Sequence, residues 1–300
     1  MLLARKHFFV LSATKLKPFK LRTRELFWDC MGLEKLRSIE KLPVVTKLKV
    51  MVAKYYEQRL LDEVKQNGNI PRHVAIILDG NRRFARESGI GELQGHMFGA
   101  DKLEEVLGWC RELGIKHTTV YAFSTENFNR SSKEIETLMD LFVDKFKKIA
   151  ADDRVRKYKI RVRAIGNMEK LPERVVAAIN EAEDATREHD GYSLNIAVGY
   201  GGRAEIAEAV RKICERIERG ELKPGDVDEH LISGHLYTAG LPDPDLVIRT
   251  SGEERLSGFL LWQSAYSELH FCEANWPAFS KADFLRAIRI YQGRERRFGK

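Results

Sequence analysis

Between Pro71 and the carboxyl terminus, short runs rich in β-branched and other apolar residues alternate with longer stretches in which apolar residues recur every three or four positions. The runs VAIIL (74–78), TTVYAF (118–123), IRVRAI (160–165), SLNIAV (193–198), DLVIR (245–249) and ELHFC (268–272) have the length and composition of strands. The stretches around 97–112, 133–150, 173–188, 203–219 and 281–292 have the period of amphipathic helices. Strands that are apolar throughout need cover on both faces, and strands separated by single helices pair in parallel. The pattern predicts an α/β fold with a central, mostly parallel six-stranded sheet flanked by helices.

Upstream, VVTKLKVMVAKYYEQRLLDEV (44–64) reads as one basic amphipathic helix, which Gly68, Asn69 and Pro71 terminate. This break divides the chain into an N-terminal extension, 1–70, and a main domain, 71–300. Charge divides at the same place. Residues 1–70 carry 15 Lys and Arg against 7 Asp and Glu, whereas 71–300 carry 36 against 37. The net +7 of the 300-residue chain therefore belongs to the extension. A basic amphipathic helix suits an anionic membrane surface or a neighbouring domain face, so the expectation is a cytoplasmic protein with peripheral membrane contact left open. The apolar run at 8–11 is too short for a signal-peptide core or a membrane span. A charge-balanced main domain without a binding motif argues against a nucleic-acid partner. The four cysteines are scattered without C-x-x-C spacing, which reads as a reduced chain without structural zinc.

In open parallel sheets, ligands bind beyond the carboxyl ends of the strands, and three ends here are polar in a similar way. The first runs Asp79-Gly80-Asn81-Arg82-Arg83, followed by Phe84. The second runs Ser124-Thr125-Glu126-Asn127-Phe128-Asn129-Arg130, and the fifth runs from Arg249 through Arg255, Leu256 and Ser257. Guanidinium forks match phosphate oxygens, and glycine-flanked turns free backbone N–H groups for an anion. Such ends suit a substrate with more than one phosphate. Asp79 among these cations suits a divalent metal that bridges diphosphate oxygens. His96, at a helix start, is a candidate phosphate contact. The Gly199-Tyr200-Gly201-Gly202 turn fits either tight packing or phosphate contact. Nucleotide signatures are absent: there is no G-x-x-x-x-G-K-[ST] loop, and Gly89, Gly91 and Gly95 do not follow a strand.

The motifs HVAIILDGNRRFA, GHMFGA, YAFSTENFNR, LNIAVGYGGR, DLVIRTSGEERLSGFLLWQSAYSELHF and the terminal RERRFG resemble those of the cis-prenyltransferases, the family of undecaprenyl and dehydrodolichyl diphosphate synthases, over roughly 71–300. The resemblance implies a homodimer with a hydrophobic tunnel between sheet and helices. It implies Mg²⁺-dependent, repeated head-to-tail condensation of isopentenyl diphosphate onto an allylic diphosphate, with each new double bond cis. By position, Asp79 matches the family's metal-binding aspartate, and Gly80, Asn81, Arg82, Arg83 and Phe84 match the allylic diphosphate loop. His96 falls on a phosphate-contacting histidine. Ser124, Thr125, Glu126, Asn127, Phe128 and Arg130 fall on the second motif, with Asn127 as a proton acceptor or relay. Arg249, Arg255, Leu256 and Ser257 fall on the isopentenyl diphosphate site, Glu268 on a second magnesium-linked carboxylate, and the terminal RERRFG on a segment that reaches the partner's active site.

Arg82 and Phe84 stand where bacterial members have Gly and Trp, and Glu92 stands where an Arg often contacts the primer. Ser251 and Glu254 replace a Gly and a His. These departures resemble archaeal members, some of which prefer geranylgeranyl diphosphate as primer. Two alternatives stay open: prenyl transfer to an oxygen acceptor, and a non-catalytic subunit of a two-component enzyme. The latter typically lacks the first-strand aspartate and the asparagine motif, both present here. In a tunnel enzyme, product length depends on the wall, for which Ala122 and Leu194 are candidates. A bulkier residue at Ala122 is expected to shorten the product, and an unchanged length on chromatography of the labelled lipids counts against that wall.

Overall fold

The structure is a computed structural model and describes residues 43–294 of the chain. Its two compact units are Met1–Tyr56 and Glu57–Lys300. Helix α1 (Pro43–Asn67) is a single helix, and its Leu60, Leu61 and Val64 are buried in the core of the larger unit. That unit therefore begins fourteen residues before the break at Pro71, inside the helix rather than after it.

The rest of the chain alternates as the pattern predicts: β1 (His73–Ile77), α2 (Asn81–Glu87), α3 (Glu92–Glu112), β2 (His117–Ser124), α4 (Ser132–Ala151), α5 (Asp153–Lys157), β3 (Ile160–Ile165), α6 (Glu173–Thr186), β4 (Tyr192–Tyr200), α7 (Gly202–Glu218), α8 (Glu229–Ser233), β5 (Leu246–Arg249), β6 (Glu268–Phe271) and α9 (Lys281–Gln292). The strands form one sheet in the order β3-β4-β2-β1-β5-β6, and every pairing is parallel. All six strands therefore end at the same edge. The order makes β2, β1 and β5 neighbours, so the three polar strand ends of the sequence lie side by side.

All five residues of β1 are buried, and alternation sends them to opposite faces of the sheet. Val74 and Ile76 join a large core that takes in Val106, Phe123, Met139, Ile248 and Phe284. Ala75 and Ile77 join a smaller one with Tyr121, Val247 and Phe259. Three short helices lie outside the predicted set because a five- or seven-residue helix shows too little periodicity: α5, α8, and α2, which occupies 81–87 where the motif suggested a loop. Helix α3 begins at Glu92, one turn earlier than its apolar period indicates.

His73 opens β1 and is 1% exposed. Its Nδ1 donates to the Pro242 carbonyl at 2.7 Å and its Nε2 accepts from Thr119 Oγ1 at 2.7 Å, and that hydroxyl in turn accepts from Asn195 Nδ2 at 3.1 Å. Burial pushes its pKa from 6.5 down to about 4, against the pull of the Pro242 carbonyl. The folded ring thus refuses a proton that the unfolded chain takes up below pH 6.5. Stability is fully present above that value and is lost as pH falls toward 4, at about 1.4 kcal/mol per pH unit and about 3 kcal/mol in all. Urea denaturation across that range is expected to show this slope, and His73→Gln to flatten it.

Candidate active site

At the shared edge, the chain leaves β1 through Asp79 and turns at Gly80, whose φ of +103° favours glycine. A Cβ at this position would also come within 2.6 Å of Asn275 Oδ1. Asn81, Arg82, Arg83 and Phe84 then form the first turn of α2. The loop after β5 is tied to this turn by Thr250, which is fully buried. Its Oγ1 accepts from the Asp79 N–H at 3.0 Å and donates to the Asp79 carbonyl at 2.7 Å.

Three linked clusters cover the edge. In the first, Arg249 Nη2 donates to Asp79 Oδ2 at 2.8 Å, and Nη1 donates to Ser257 Oγ at 2.8 Å and to the Arg255 carbonyl. Arg249 is 5% exposed and Asp79 36%, so the pair runs from the core to the surface. In the second, Arg83 donates to the Ser251 carbonyl at 2.7 Å and lies 3.1 Å from Glu253, which also pairs with Arg255. In the third, Glu134 receives Arg130 at 2.9 Å and Arg82 at 3.5 Å, and the His96 Nε2 lies 3.8 Å away, too far for a hydrogen bond. Burial and the charge on Arg130 hold His96 below its ordinary pKa, so the ring favours its neutral form.

The second strand end folds as a 3-10 turn, Thr125–Asn129. Asn127 Oδ1 accepts from the Ser124 N–H at 2.9 Å, so this oxygen already has a donor and shapes the turn. Thr125 packs against Gly201, where a Cβ would come within 2.6 Å of its Oγ1. Glu126 is exposed. Phe128 sets its ring edge against Phe123 at 4.9 Å, and Leu256 packs on the smaller core. Both therefore serve as walls rather than polar contacts. Gly202 donates to the Gly258 carbonyl at 2.8 Å, which favours the packing reading of the glycine turn.

Glu268 stands apart from Asp79 within the chain. It opens β6 and pairs in register with Leu246 at the start of β5, whereas Arg249 at the other end pairs with Ile77, two residues before Asp79. At about 3.3 Å per residue, Glu268 lies roughly 16 Å from Asp79 along the strands. The two carboxylates of one chain cannot hold the same ion. Among the described residues no group of three His, Cys, Asp or Glu is placed to bind a metal, and Asp79, Glu134 and Glu253 are carboxylates paired with arginines at the edge. The terminal RERRFG lies outside the described residues beyond Arg294.

Thr250, Glu134 and Asn275 are site residues that the motif reading passed over. Glu134 had a signal: it follows Arg130 by four residues and closes a Ser131-x-x-Glu134 helix start, with Ser131 Oγ accepting the Glu134 N–H. Beside the charged edge, an apolar cavity opens between the sheet, α3 and α4. Asn81 and His96 stand at its mouth, and Leu78, Ala122, Phe142 and Leu194 are among its walls. Ala122 and Leu194 are thus where the strand pattern put them.

A protein-family model described as "Putative undecaprenyl diphosphate synthase" matches residues 77–299. The chain belongs to this cis-prenyltransferase family. A tritrans,polycis-undecaprenyl-diphosphate synthase (geranylgeranyl-diphosphate specific) from Methanocaldococcus jannaschii is 52% identical over 272 residues, 89% of this chain and 97% of that one. The protein of the same name from Thermococcus kodakarensis is 57% identical over 82% of this chain and 92% of its own. Among solved structures, lavandulyl diphosphate synthase from Lavandula x intermedia, in complex with dimethylallyl diphosphate, superposes with a TM-score of 0.72 at 39% identity, over 77% of this chain and 99% of that one. An alignment over 89% of the chain extends upstream of Pro71, further than the motifs alone reach.

In this cis-prenyltransferase, removal of the Arg249 side chain should cost its buried hydrogen bonds to Ser257 and the Arg255 carbonyl together with the pair to Asp79. Arg249→Met leaves Asp79 without its partner, and after allowance for the exposure of Asp79 the expected destabilisation is about 2 kcal/mol. The measurement is a urea midpoint at unchanged slope.

Proposed function

We propose that the chain is a cis-polyprenyl diphosphate synthase that condenses isopentenyl diphosphate repeatedly onto an allylic primer, with geranylgeranyl diphosphate as that primer. The product is a long Z-polyprenyl diphosphate suited to become a glycosyl carrier lipid. The observation that carries this reading is one cavity mouth shared by two opposite environments. Cationic strand ends stand on one side of Asn81 and His96, and an apolar channel along the sheet stands on the other.

In each cycle the allylic C–O bond breaks and diphosphate leaves with the electron pair. A C–C bond forms to the terminal alkene carbon of isopentenyl diphosphate, and a proton is lost from its C2. Arg82, Arg83, Arg130 and His96 are positioned to hold the allylic diphosphate, and Arg249, Arg255 and Ser257 to hold the isopentenyl one. The apolar wall keeps water from the developing cation. Asn127, an amide whose oxygen takes the Ser124 N–H, suits orienting a substrate oxygen better than accepting the proton, which diphosphate itself can take. A hard, partly exposed carboxylate among guanidinium groups fits Mg²⁺, with phosphate oxygens and water completing the shell, and Asp79 would hold it. When bound, the ion neutralises charge on the leaving diphosphate.

Two partners follow. Tyr266, Leu269 and Ile290 are exposed on or near the edge strand β6, which supports a homodimer through that side. Val50, Met51, Tyr55 and Tyr56 are exposed on α1 near Lys47 and Lys54, which supports peripheral contact with an anionic membrane. Among the described residues no helix is long and apolar enough to cross a membrane.

The test is incubation with labelled isopentenyl diphosphate, Mg²⁺ and, separately, dimethylallyl, geranyl, farnesyl or geranylgeranyl diphosphate. Long products are expected, most efficiently from geranylgeranyl diphosphate, with at least a hundredfold loss in Asp79→Ala. Failure to elongate any primer points instead to the non-catalytic subunit or to transfer onto an oxygen acceptor.

A further inference from the structure

The cavity is not apolar to its end. Helix α4 starts at the mouth, where Glu134 meets His96, and runs about 27 Å to Asp152 beyond its last turn. The sheet tells the same direction, because Leu78 and Ala122 come late on β1 and β2, whereas Val162 and Leu194 come early on β3 and β4. At the end away from the mouth, the charged side chains of Glu104, Lys148, Asp152 and Arg154 join a lining that still includes Ile149, Val155 and Ile160.

These four residues are joined across three elements. Lys148 on α4 donates to Glu104 Oε1 at 2.6 Å, and Arg154 on α5 donates to Glu104 Oε2 at 2.9 Å and to Asp152 Oδ2 at 2.6 Å. Glu104 of α3 is therefore the knot of a clasp that spans from α3 to α4 and α5. Partial burial pushes the Glu104 carboxyl up, but the hydrogen bonds from Lys148 and Arg154 outweigh it and hold the group below its ordinary pKa. Nearby, the Arg111 guanidinium stacks 3.8 Å over the Tyr158 ring, which ties the last turn of α3 to the segment before β3.

We infer that the Glu104–Lys148–Arg154 clasp is a specificity-determining element that sets product length by placing paired charges at the far end of the apolar wall. This rests on the synthase reading. With the diphosphate held at the strand ends, every condensation adds an isoprene unit at the head and drives the tail further from the mouth. Each new methylene gains burial until the tail reaches the clasp. Beyond it, the tail would have to strip water from, or pull apart, paired charges. Elongation loses its driving force there, and release competes. The clasp sits on exposed side chains, with Arg154 57% and Lys148 53% accessible, so salt weakens it.

The experiment compares the labelled products of the wild type and of Glu104→Leu/Arg154→Leu with geranylgeranyl diphosphate as primer. The variant is expected to shift the product distribution longer by at least one isoprene unit, with kcat and KM for the first condensation within about twofold, since the mouth is untouched. As a second reading that needs no variant, wild-type products are compared at low salt and in about 1 M NaCl, where screening acts within about 3 Å. A shift to longer chains is expected there too, absent in the variant. A wild type that elongates nothing removes the synthase reading and the clasp with it. A wild type that elongates, with equal lengths in the variant, overturns the clasp alone. If the variant does not fold, unchanged wild-type lengths in high salt overturn it.

Discussion

The Asp79–Arg249 pair is the constraint from which the site follows. It joins the ends of two neighbouring parallel strands, and the guanidinium is buried while the carboxylate looks outward. A buried arginine without a partner costs several kcal/mol, so the two loops cannot separate without exposing that cost. Thr250 adds a second lock by bonding both backbone groups of Asp79. Together they fix where α2 starts and where the Arg255–Ser257 turn lies, and through Arg83 and the Ser251 carbonyl each loop holds the other.

The apolar channel beside this edge explains why the charges stay at the mouth. Parallel strands buried on both faces leave room for ionised groups only beyond their ends, and the helix α3 that covers one face presents His96 to the edge and Leu103 and Leu107 to the channel. The same sheet geometry therefore separates a polar head site from an apolar tail site. No partition wall is required. The separation suits an amphiphile with a diphosphate at one end.

Much of this was legible in the sequence. The six strands stand within two residues of where their apolar runs place them, because buried strands advertise themselves by composition. Asp79, Arg249 and Ser257 were marked by position at strand ends, and they are in hydrogen-bonded contact. Strand order was not legible, since nothing local in β5 says that it lies beside β1, and that order is what makes three separate motifs one site. The place of Glu268 was hidden for the same reason: its motif follows β5 closely in the chain, but the register places it at the strand's other end. Glu134 was missed because a glutamate at the start of a helix usually serves the helix dipole, and only the fold brings Arg82 and His96 to it from α2 and α3.

The edge cations do not wait bare for a ligand. Arg82 and Arg130 have Glu134, Arg83 and Arg255 have Glu253, and Arg249 has Asp79. A diphosphate bound here must exchange with carboxylates rather than fill an empty field. The pairs of Arg83 and Arg255 with Glu253 are exposed and gain little over water, so they yield readily, whereas a multiply charged phosphate offers guanidinium forks bidentate, charge-assisted bonds. The internal carboxylates keep like charges from repelling one another and keep the arginines extended toward the mouth. They also return to their partners when diphosphate leaves, which lowers the cost of release. A site that must shed a diphosphate at every elongation step is better served by this exchange than by the strongest possible grip.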